Sequence, residues 1–547
     1  MLAPIDEKVL SGMLSGGTII PWGAWAVPLS NWILGILSCF LFFLFAGSLI
    51  RRQYVDIEAL NFPLANAVAK VAELGSKGGR VADIWKSRPF WAGMLVSFAV
   101  GIGMSIENIA PTFKRISPVV DLTGLALIQR GPLTFGFEPW YIGFGYIQTY
   151  SASITTVISF LILMLIIPNI LVATGQIHPL EPGSNRSYES TGLRFNLANP
   201  SIFAYPYSAL CWGILFTMAI YPIFVHRRVL IESLSAIFRK IPKEIEEKEA
   251  LSYRCLWLGT LIFALFWIAS LVISNVPVPY AILIFILTTL FYLGWTRMRG
   301  ETGGIYGGYG HNETPFIAIL QWISNTTGLT AASKTSALSF MHLGSFYGMT
   351  RPTRSIYYAA PMPNILDSYA LGDRVKASNK GVFIGMLIAA VINIPLTLML
   401  TLWWYYTFGG KSTFLGSGWL GGSMLSIRES MNVIETGTTA LPWAPAPNQL
   451  TMYMFILGIV LTVAMYMARM RYGWFIFTPV GILMGVYGGI ILWTPFIIAI
   501  ILRWLTFRIG GVELYEKTGM PVAAGLMFGV GLAVVLVGLI KATMAII

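Results

Sequence analysis

The sequence predicts an all-α, polytopic integral membrane protein. Hydrophobic residues make up 56% of its 547 residues and charged residues only 11%, whereas about a quarter of the residues of a typical soluble protein are charged. The apolar residues form runs long enough to cross a bilayer, because roughly 20 helical residues span the hydrocarbon core. The stretches between these runs are short, so we predict no independent extramembrane domain.

Basic residues are distributed unevenly between the loops. Of the 36 Lys and Arg, 26 lie in six segments: 51–88, 226–254, 297–299, 351–380, 469–471 and 503–517. Cytoplasmic loops of membrane proteins carry such an excess, so we predict that these segments are cytoplasmic. The net charge of +12 is therefore a topology signal with anionic membrane lipid as its partner, and we expect no binding of nucleic acid.

The predicted spans have the length that a bilayer demands, and tilt or flanking residues help the shorter ones. They are 28–50, 89–110, 151–173, 204–225, 255–274, 278–296, 381–408, 451–468, 473–489, 490–507 and 521–546. Alternation of sides requires an odd number of further crossings within 111–150, where 131–150 has the glycine and aromatic content of a broken or tilted helix. In total we expect roughly 12 to 16 membrane helices or half-helices.

Two membrane halves are predicted. The N-terminal half, 1–300, contains the cytoplasmic loops 51–88 and 226–254, and the C-terminal half, 301–547, contains a polar hairpin at 313–350 and an external loop at 409–450. This segment is too polar to face lipid, so we expect a pair of short helices or a re-entrant hairpin inside the bundle.

A weak internal echo links the two ends of the chain. Residues 44–60 followed by 88–103 resemble 498–535, because both read as a helix, a basic end, an acidic loop, a proline and a glycine-rich helix. Internal duplication is one interpretation, and chance similarity between apolar helices is the other.

The most specific polar cluster follows the span 278–296, in RMRGETGGIYGGYGHNETP at 297–315. Glycine permits a close approach of ligand to backbone, and runs of exposed N–H groups bind anions. Arg297 and Arg299 are therefore candidate ligands for a substrate carboxylate, and Glu301 is a candidate for proton coupling. The alternative is that both arginines are ordinary cytoplasmic anchors beside a loop.

Glu107 and Glu138 are the other candidates for proton coupling. Both lie within or beside predicted membrane segments, where an ionisable group is costly and is a functional candidate for that reason. Burial favours the protonated carboxyl group near neutral pH, as a proton-coupled carrier needs. Alternatively, both side chains lie in a wet external vestibule and have no special role.

Candidate substrate ligands also include amides beside helix-breaking prolines. Asn169 follows Pro168, and Asn393 lies two residues before Pro395. Proline frees a backbone carbonyl, which together with an amide would suit a peptide group or a cation; a purely structural kink is equally compatible. The polar hairpin adds Ser324, Asn325 and His342 as candidates.

The sequence contains no catalytic or cofactor motif. The three cysteines, Cys39, Cys211 and Cys255, lie in or beside apolar spans without CxxC spacing, so we predict small core residues and no metal site. GGKST at 409–413 lacks the first glycine of a phosphate-binding loop. We therefore expect no cofactor, no ATP hydrolysis and no enzymatic activity.

Several strings resemble the oligopeptide transporter (OPT) superfamily, in particular its uncharacterised prokaryotic OPT-like membrane proteins. They are RRQYVDIEALNFPLANA (51–67), YIGFGYIQTYSASITTVISFLI (141–162), RMRGETG (297–303), RYGWFIFTPVGILMG (471–485) and RIGGVELYEKTGMPVAAGLMFG (508–529). The resemblance implies an all-helical carrier of roughly sixteen membrane helices, secondary and proton-coupled, for peptides or metal–chelate-like compounds. The full NPG and KIPPR signatures of the peptide-carrier branch are absent, so the resemblance leaves the substrate class open.

The leading hypothesis is a proton-coupled secondary transporter of small polar solutes in the plasma membrane. Its partners would be the solute, protons and lipid, and a homo-oligomer is compatible with the sequence. Two alternatives stay open: a non-transporting assembly subunit with a carrier-like fold, and an intramembrane enzyme.

Overall fold

The computed structural model describes residues 6–76, 87–108, 133–177, 206–238, 246–303, 361–409 and 449–546, with the short pieces 4, 110, 112–114, 116, 118–121, 195–196 and 203–204. Two short antiparallel pairs interrupt the helices, β1 (Val119–Asp121) with β2 (Thr134–Gly136) and β3 (Phe195–Asn196) with β4 (Phe203–Ala204).

The α-helices of these residues are α1 (Glu7–Ser15), α2 (Trp22–Arg51), α3 (Pro63–Ser76), α4 (Arg88–Ser105), α5 (Pro139–Ile147), α6 (Tyr150–Ser159), α7 (Ile167–Ala173), α8 (Pro206–Val225), α9 (Arg227–Ser235), α10 (Tyr253–Ile273), α11 (Val278–Thr302), α12 (Pro361–Arg374), α13 (Asn379–Phe408), α14 (Gln449–Arg471), α15 (Pro479–Tyr487), α16 (Gly489–Leu514) and α17 (Met520–Ile546). π-Helical segments follow α2 (Arg52–Ile57), join α6 to α7 (Phe160–Ile166) and join α16 to α17 (Tyr515–Gly519).

Helices that are long and apolar enough to cross a membrane dominate the described residues. Seven are found there: Trp22–Ile57, Tyr150–Ala173, Tyr253–Ile273, Val278–Thr302, Asn379–Phe408, Met452–Arg471 and Ile491–Lys541. The pair Ala209–Val225 and Arg227–Ser235, bent by 63°, is an eighth candidate. Because a bilayer leaves no water for backbone groups, such helices are the structures that cross it. The protein is a multi-pass, all-α membrane protein, as the sequence predicts.

A close helix crossing joins α4 to α17, the two glycine-rich helices of the internal echo. A side chain on Gly525 or Gly529 would overlap the backbone oxygen of Phe90 or Met94, respectively, so the two backbones touch. Glycines four residues apart give membrane helices this close approach. The crossing joins the two ends of the chain, and the division into two halves stays a prediction.

The echo extends to local backbone geometry. The π-helical Arg52–Ile57 follows α2 in the first stretch, and the π-helical Tyr515–Gly519 follows α16 in the second. π-Helical turns are rare, and they occur frequently at functional sites. A third π-helical segment, Phe160–Ile166, lies outside the echo, so duplication and chance similarity both stay open.

Two broken helices lie side by side. The nine-residue α5 is separated from α6 by Gln148 and Thr149, which are both extended, and the nine-residue α15 is separated from α16 by Gly488. Each short helix begins with a proline in its first turn. Helix α5 packs on α16, and α6 packs on α15. Each short helix therefore lies against the longer element of the other broken pair.

The predicted break in 131–150 is confirmed at Gln148 and Thr149, but two expectations about spans are wrong. The segment 473–489 contains only the nine-residue α15, which at 1.5 Å per residue extends about 14 Å, less than half of the hydrocarbon core. Helix α13 continues through Pro395 without a break, because a helix can accommodate one proline when neighbouring groups satisfy the freed carbonyl.

One expectation about the cysteines is wrong, and two of the loops contain buried residues. The loop 226–254, predicted to be cytoplasmic, contains the buried Glu249, which an ion pair compensates. Cys255 is exposed, whereas Cys39 and Cys211 are buried as predicted. The basic segment 351–380 contains α12, a largely buried helix that the sequence did not predict.

Candidate functional site

Arg51, the last residue of α2, is buried in a complete set of partners. Its guanidinium donates to both carboxylate oxygens of Glu249 at 3.1 Å and to those of Asp56 at 3.0 and 2.9 Å. The Tyr253 hydroxyl donates to Glu249 at 3.2 Å. Buried charges need this compensation, so the cluster holds the start of α10 against the end of α2.

Arg297 is the centre of a second cluster, where α11 and α14 meet the end of the first span. Its Nη1 lies 2.6 Å from Glu58 and its Nε lies 2.8 Å from Glu301. Nε also donates to the Tyr466 hydroxyl at 3.2 Å, and His226 Nε2 lies 3.6 Å from Glu58. Two carboxylates of the protein itself therefore neutralise Arg297, the residue predicted to bind a substrate carboxylate.

Arg299 points to a different neighbour. Its Nε donates to Asp367 of α12 at 2.7 Å. Burial raises the pKa of the Asp367 carboxyl, and the charge of Arg299 acts in the opposite direction. The two arginines of RMRGETG thus join α11 to different parts of the bundle.

Backbone geometry explains why glycines surround these arginines. The amide of Phe62 donates to the Gly300 oxygen at 2.8 Å, and a side chain on Gly300 would meet Leu60 and Phe62. Gly303 ends α11 in the left-handed conformation with φ of 77°, which glycine adopts without strain. Ala59 and Phe62 have φ of 47° and 41°, so the segment after Glu58 is strained where it docks on α11.

Glu138 lies at the start of α5 and is only 4% exposed. Its Oε2 has no hydrogen-bond partner, and the carboxylate forms no ion pair, within the part of the chain that the structure describes. The adjoining β2 is fixed against the spanning α16, because Gly136 donates its amide to Thr494 Oγ1 at 2.8 Å and Trp493 Nε1 donates to the Thr134 oxygen at 2.7 Å. Glu138 is therefore a buried carboxyl group beside a membrane helix, without a counter-ion among the described residues.

Gln148 occupies the break between α5 and α6 and is fully buried. Its freed backbone oxygen accepts from Arg503 Nη1 at 2.5 Å. Its side-chain Nε2 lies 3.1 Å from Met484 Sδ, while Oε1 has no partner among the described residues. A buried amide without a full set of partners costs stability, and a functional role is one explanation for such a group.

The remaining predicted residues that the structure describes are not brought together. Glu107 is exposed after α4. Asn169 donates its amide to the Leu165 oxygen at 2.7 Å, next to the π-helical segment. Asn393 is exposed on α13, where it accepts from Thr397 at 3.3 Å. Ser324, Asn325 and His342 lie outside the described residues.

Sequence reasoning missed Glu58, Glu249, Asp367 and Gln148. Each lies in or next to a segment with several polar residues, where a single acid or amide does not stand out. Glu58 could have been found from its position seven residues after Arg51, just beyond the first span. An acid at that end of the bundle lies where basic residues are concentrated. The signal for Gln148 was that it is the only Asn or Gln in the stretch 131–150.

Two cavities adjoin the described helices. One of about 800 Å³ lies between the π-helical segment of 150–173 and α14, and one of about 580 Å³ lies between α3, α12 and α17. Both are within the usual size range of ligand pockets. Groups of three or more His, Cys, Asp or Glu that could hold a metal ion are not found in the described residues.

Comparison with known proteins gives a family without an assigned role. No curated protein matches the chain. A model described as "Family of unknown function (DUF6785)" matches residues 1–547. The chain therefore belongs to this family of unknown function.

Proposed function

We propose that this protein is a proton-coupled secondary transporter of small polar solutes, such as oligopeptides or metal–chelate-like compounds, in the plasma membrane. The observation that carries the proposal is the side-by-side pair of broken helices. At the first of them, Glu138 and Gln148 each have a buried side-chain oxygen without a hydrogen-bond partner among the described residues. Backbone breaks at membrane depth are tolerated where they are buried in protein or line a wet cavity, and in secondary transporters they form the binding site.

Glu138 is the proposed proton carrier. A carboxyl group without a counter-ion is most stable when it is neutral, and it ionises when water or a cation reaches it. Glu301 is already paired with Arg297, and Glu107 is exposed, so both are weaker candidates. Movement of the α5–α6 break would change the surroundings of Glu138 and couple its protonation to solute binding.

Among the described residues, we propose that Gln148 binds the solute. Its Oε1, which has no partner in the described part of the chain, would accept a hydrogen bond from a peptide N–H or an amine. Asn169 lies within the same broken span and stays a proposed ligand. For Arg297 we propose a different role from the one its sequence suggested: with Glu58 and Glu301 it forms an ion-pair cluster that closes one end of the bundle and opens when the solute passes.

The proposal is tested with purified protein in proteoliposomes. Solutes are applied in classes, namely amino acids, di- and tripeptides, and metal chelates, and charge movement is recorded on a solid-supported membrane. We expect one class to drive proton entry that depends on the pH gradient. A ligand that binds only the folded state also raises the free energy of unfolding, by about 2.7 kcal/mol at a hundredfold excess over Kd. The unfolding temperature rises as a result. A class that raises the unfolding temperature without any charge or solute movement would contradict transport by proton coupling.

A further inference from the structure

The cavity of about 580 Å³ has an almost wholly apolar wall. It opens between the amphipathic α3, the buried α12 and the last helix, α17. Leu64, Leu371, Met527, Phe528, Leu532 and Val535 are among the residues that line it. A small polar solute would find few hydrogen-bond partners here, so this cavity fits a ligand with an apolar chain better than the solute proposed above.

One end of the cavity carries an ion pair. Arg299 and Asp367 both line it, and Arg299 donates its Nε to Asp367. Its Nη1 and Nη2 have no hydrogen-bond partner among the described residues, and its side chain is 20% exposed. Arginine offers such paired N–H groups to phosphate in a bidentate geometry. The polar end of the cavity is therefore suited to a phosphate group.

The outer wall of the cavity belongs to a membrane-spanning stretch. Phe528, Leu532 and Val535 are 43%, 51% and 58% exposed and lie within Ile491–Lys541. On a helix that crosses a bilayer, apolar side chains with this exposure face acyl chains. The cavity is thus continuous with the lipid phase, and its ligand can enter from the side.

We propose that this cavity binds one glycerophospholipid of the cytoplasmic leaflet. The phosphate pairs with Arg299 Nη1 and Nη2, and one acyl chain lies along α17 from Met527 to Val535. The sidedness agrees with the excess of basic residues around 297–299 and 503–517, which predicts that this end of the bundle is cytoplasmic. The lipid would contact α3, α11, α12 and α17 together. Its binding is independent of the transport function proposed above.

Glycines of α17 provide a matched pair of variants. Gly531 lines the cavity, and a side chain built on it meets no atom within 4 Å. Gly538 lies seven residues later, is equally open, and is not part of the cavity wall. Gly531→Trp should therefore fill the cavity without disturbing the fold, and Gly538→Trp should add the same bulk to the lipid-facing surface alone.

The test is native mass spectrometry of protein purified in detergent and incubated with phosphatidylglycerol or with diacylglycerol, which has the same chains without the phosphate. We expect one retained phosphatidylglycerol, weaker retention of diacylglycerol, and a loss of about tenfold in affinity in Gly531→Trp. The double variant Arg299→Gln with Asp367→Asn removes both charges together and should lower affinity for phosphatidylglycerol by about tenfold, as expected for a lost charged hydrogen bond. Its affinity for diacylglycerol should not change. Equal retention by Gly531→Trp and the native protein, or equal loss in Gly538→Trp, would overturn the proposal.

Discussion

Replacing Glu249 by glutamine measures how strongly the buried ion pair with Arg51 stabilises the bundle. The two charges are 3.1 Å apart, and the side chains are 3% and 1% exposed. At that distance and an effective dielectric constant of about 20, unit charges attract each other by roughly 5 kcal/mol. Glutamine keeps the volume and still accepts from Tyr253, and Arg51 keeps Asp56. We therefore expect a loss of about 3 kcal/mol in the free energy of unfolding, the lower end for a broken buried pair.

The assay is unfolding by sodium dodecyl sulfate in mixed micelles, followed by circular dichroism. The matched control is Glu513→Gln, which breaks the ion pair of 2.6 Å between Glu513 and Lys517. Both side chains of that pair are exposed, so its loss should not be measurable. If Glu249→Gln and Glu513→Gln unfold at the same detergent fraction as the native protein, the buried cluster does not hold α10 against α2 as we describe.

Three further predictions concern packing, the helix break and topology. Gly525→Leu should lower the free energy of unfolding by about 1–3 kcal/mol, because its side chain would overlap the backbone of α4, whereas Gly538→Leu should leave it unchanged; equal stability of the two variants would contradict the crossing. Gln148→Leu should fold at least as stably as the native protein, since it removes a buried acceptor that has no partner among the described residues, and should lose solute binding; retained binding would remove Gln148 from the site. An impermeant maleimide should label the exposed Cys255 and spare the buried Cys211. Cys255 should be labelled in inverted vesicles and not in intact cells, and labelling in intact cells would contradict the predicted orientation.

The fold class followed from the sequence because burial in lipid imposes a composition and a length on every span. The break in 131–150 was also predictable, because glycine, proline and aromatic residues were concentrated there. The same reasoning failed for 473–489, since a half-helix and a full span have the same apolar composition. Only the packing of α15 against its neighbours, α6 foremost among them, shows where the chain turns.

The candidate site was predictable only in part. The sequence marked Arg297 and Arg299 by their density of charge, but their partners Glu58 and Asp367 lie 239 and 68 residues away. No local pattern records such pairings. Glu138 was marked as an acid near a membrane segment, and its lack of a counter-ion among the described residues became visible only when the surrounding helices were in place.

The central claim is that the broken helices carry a solute together with a proton through Glu138. Its most direct test is proton entry into proteoliposomes, measured with an internal pH dye in the presence of a solute identified by the screen. Glu138→Gln should abolish solute-driven proton entry and retain solute exchange without a pH gradient, while Glu107→Gln, a change at an exposed carboxylate, should behave as the native protein does. Unchanged proton entry in Glu138→Gln would contradict the claim.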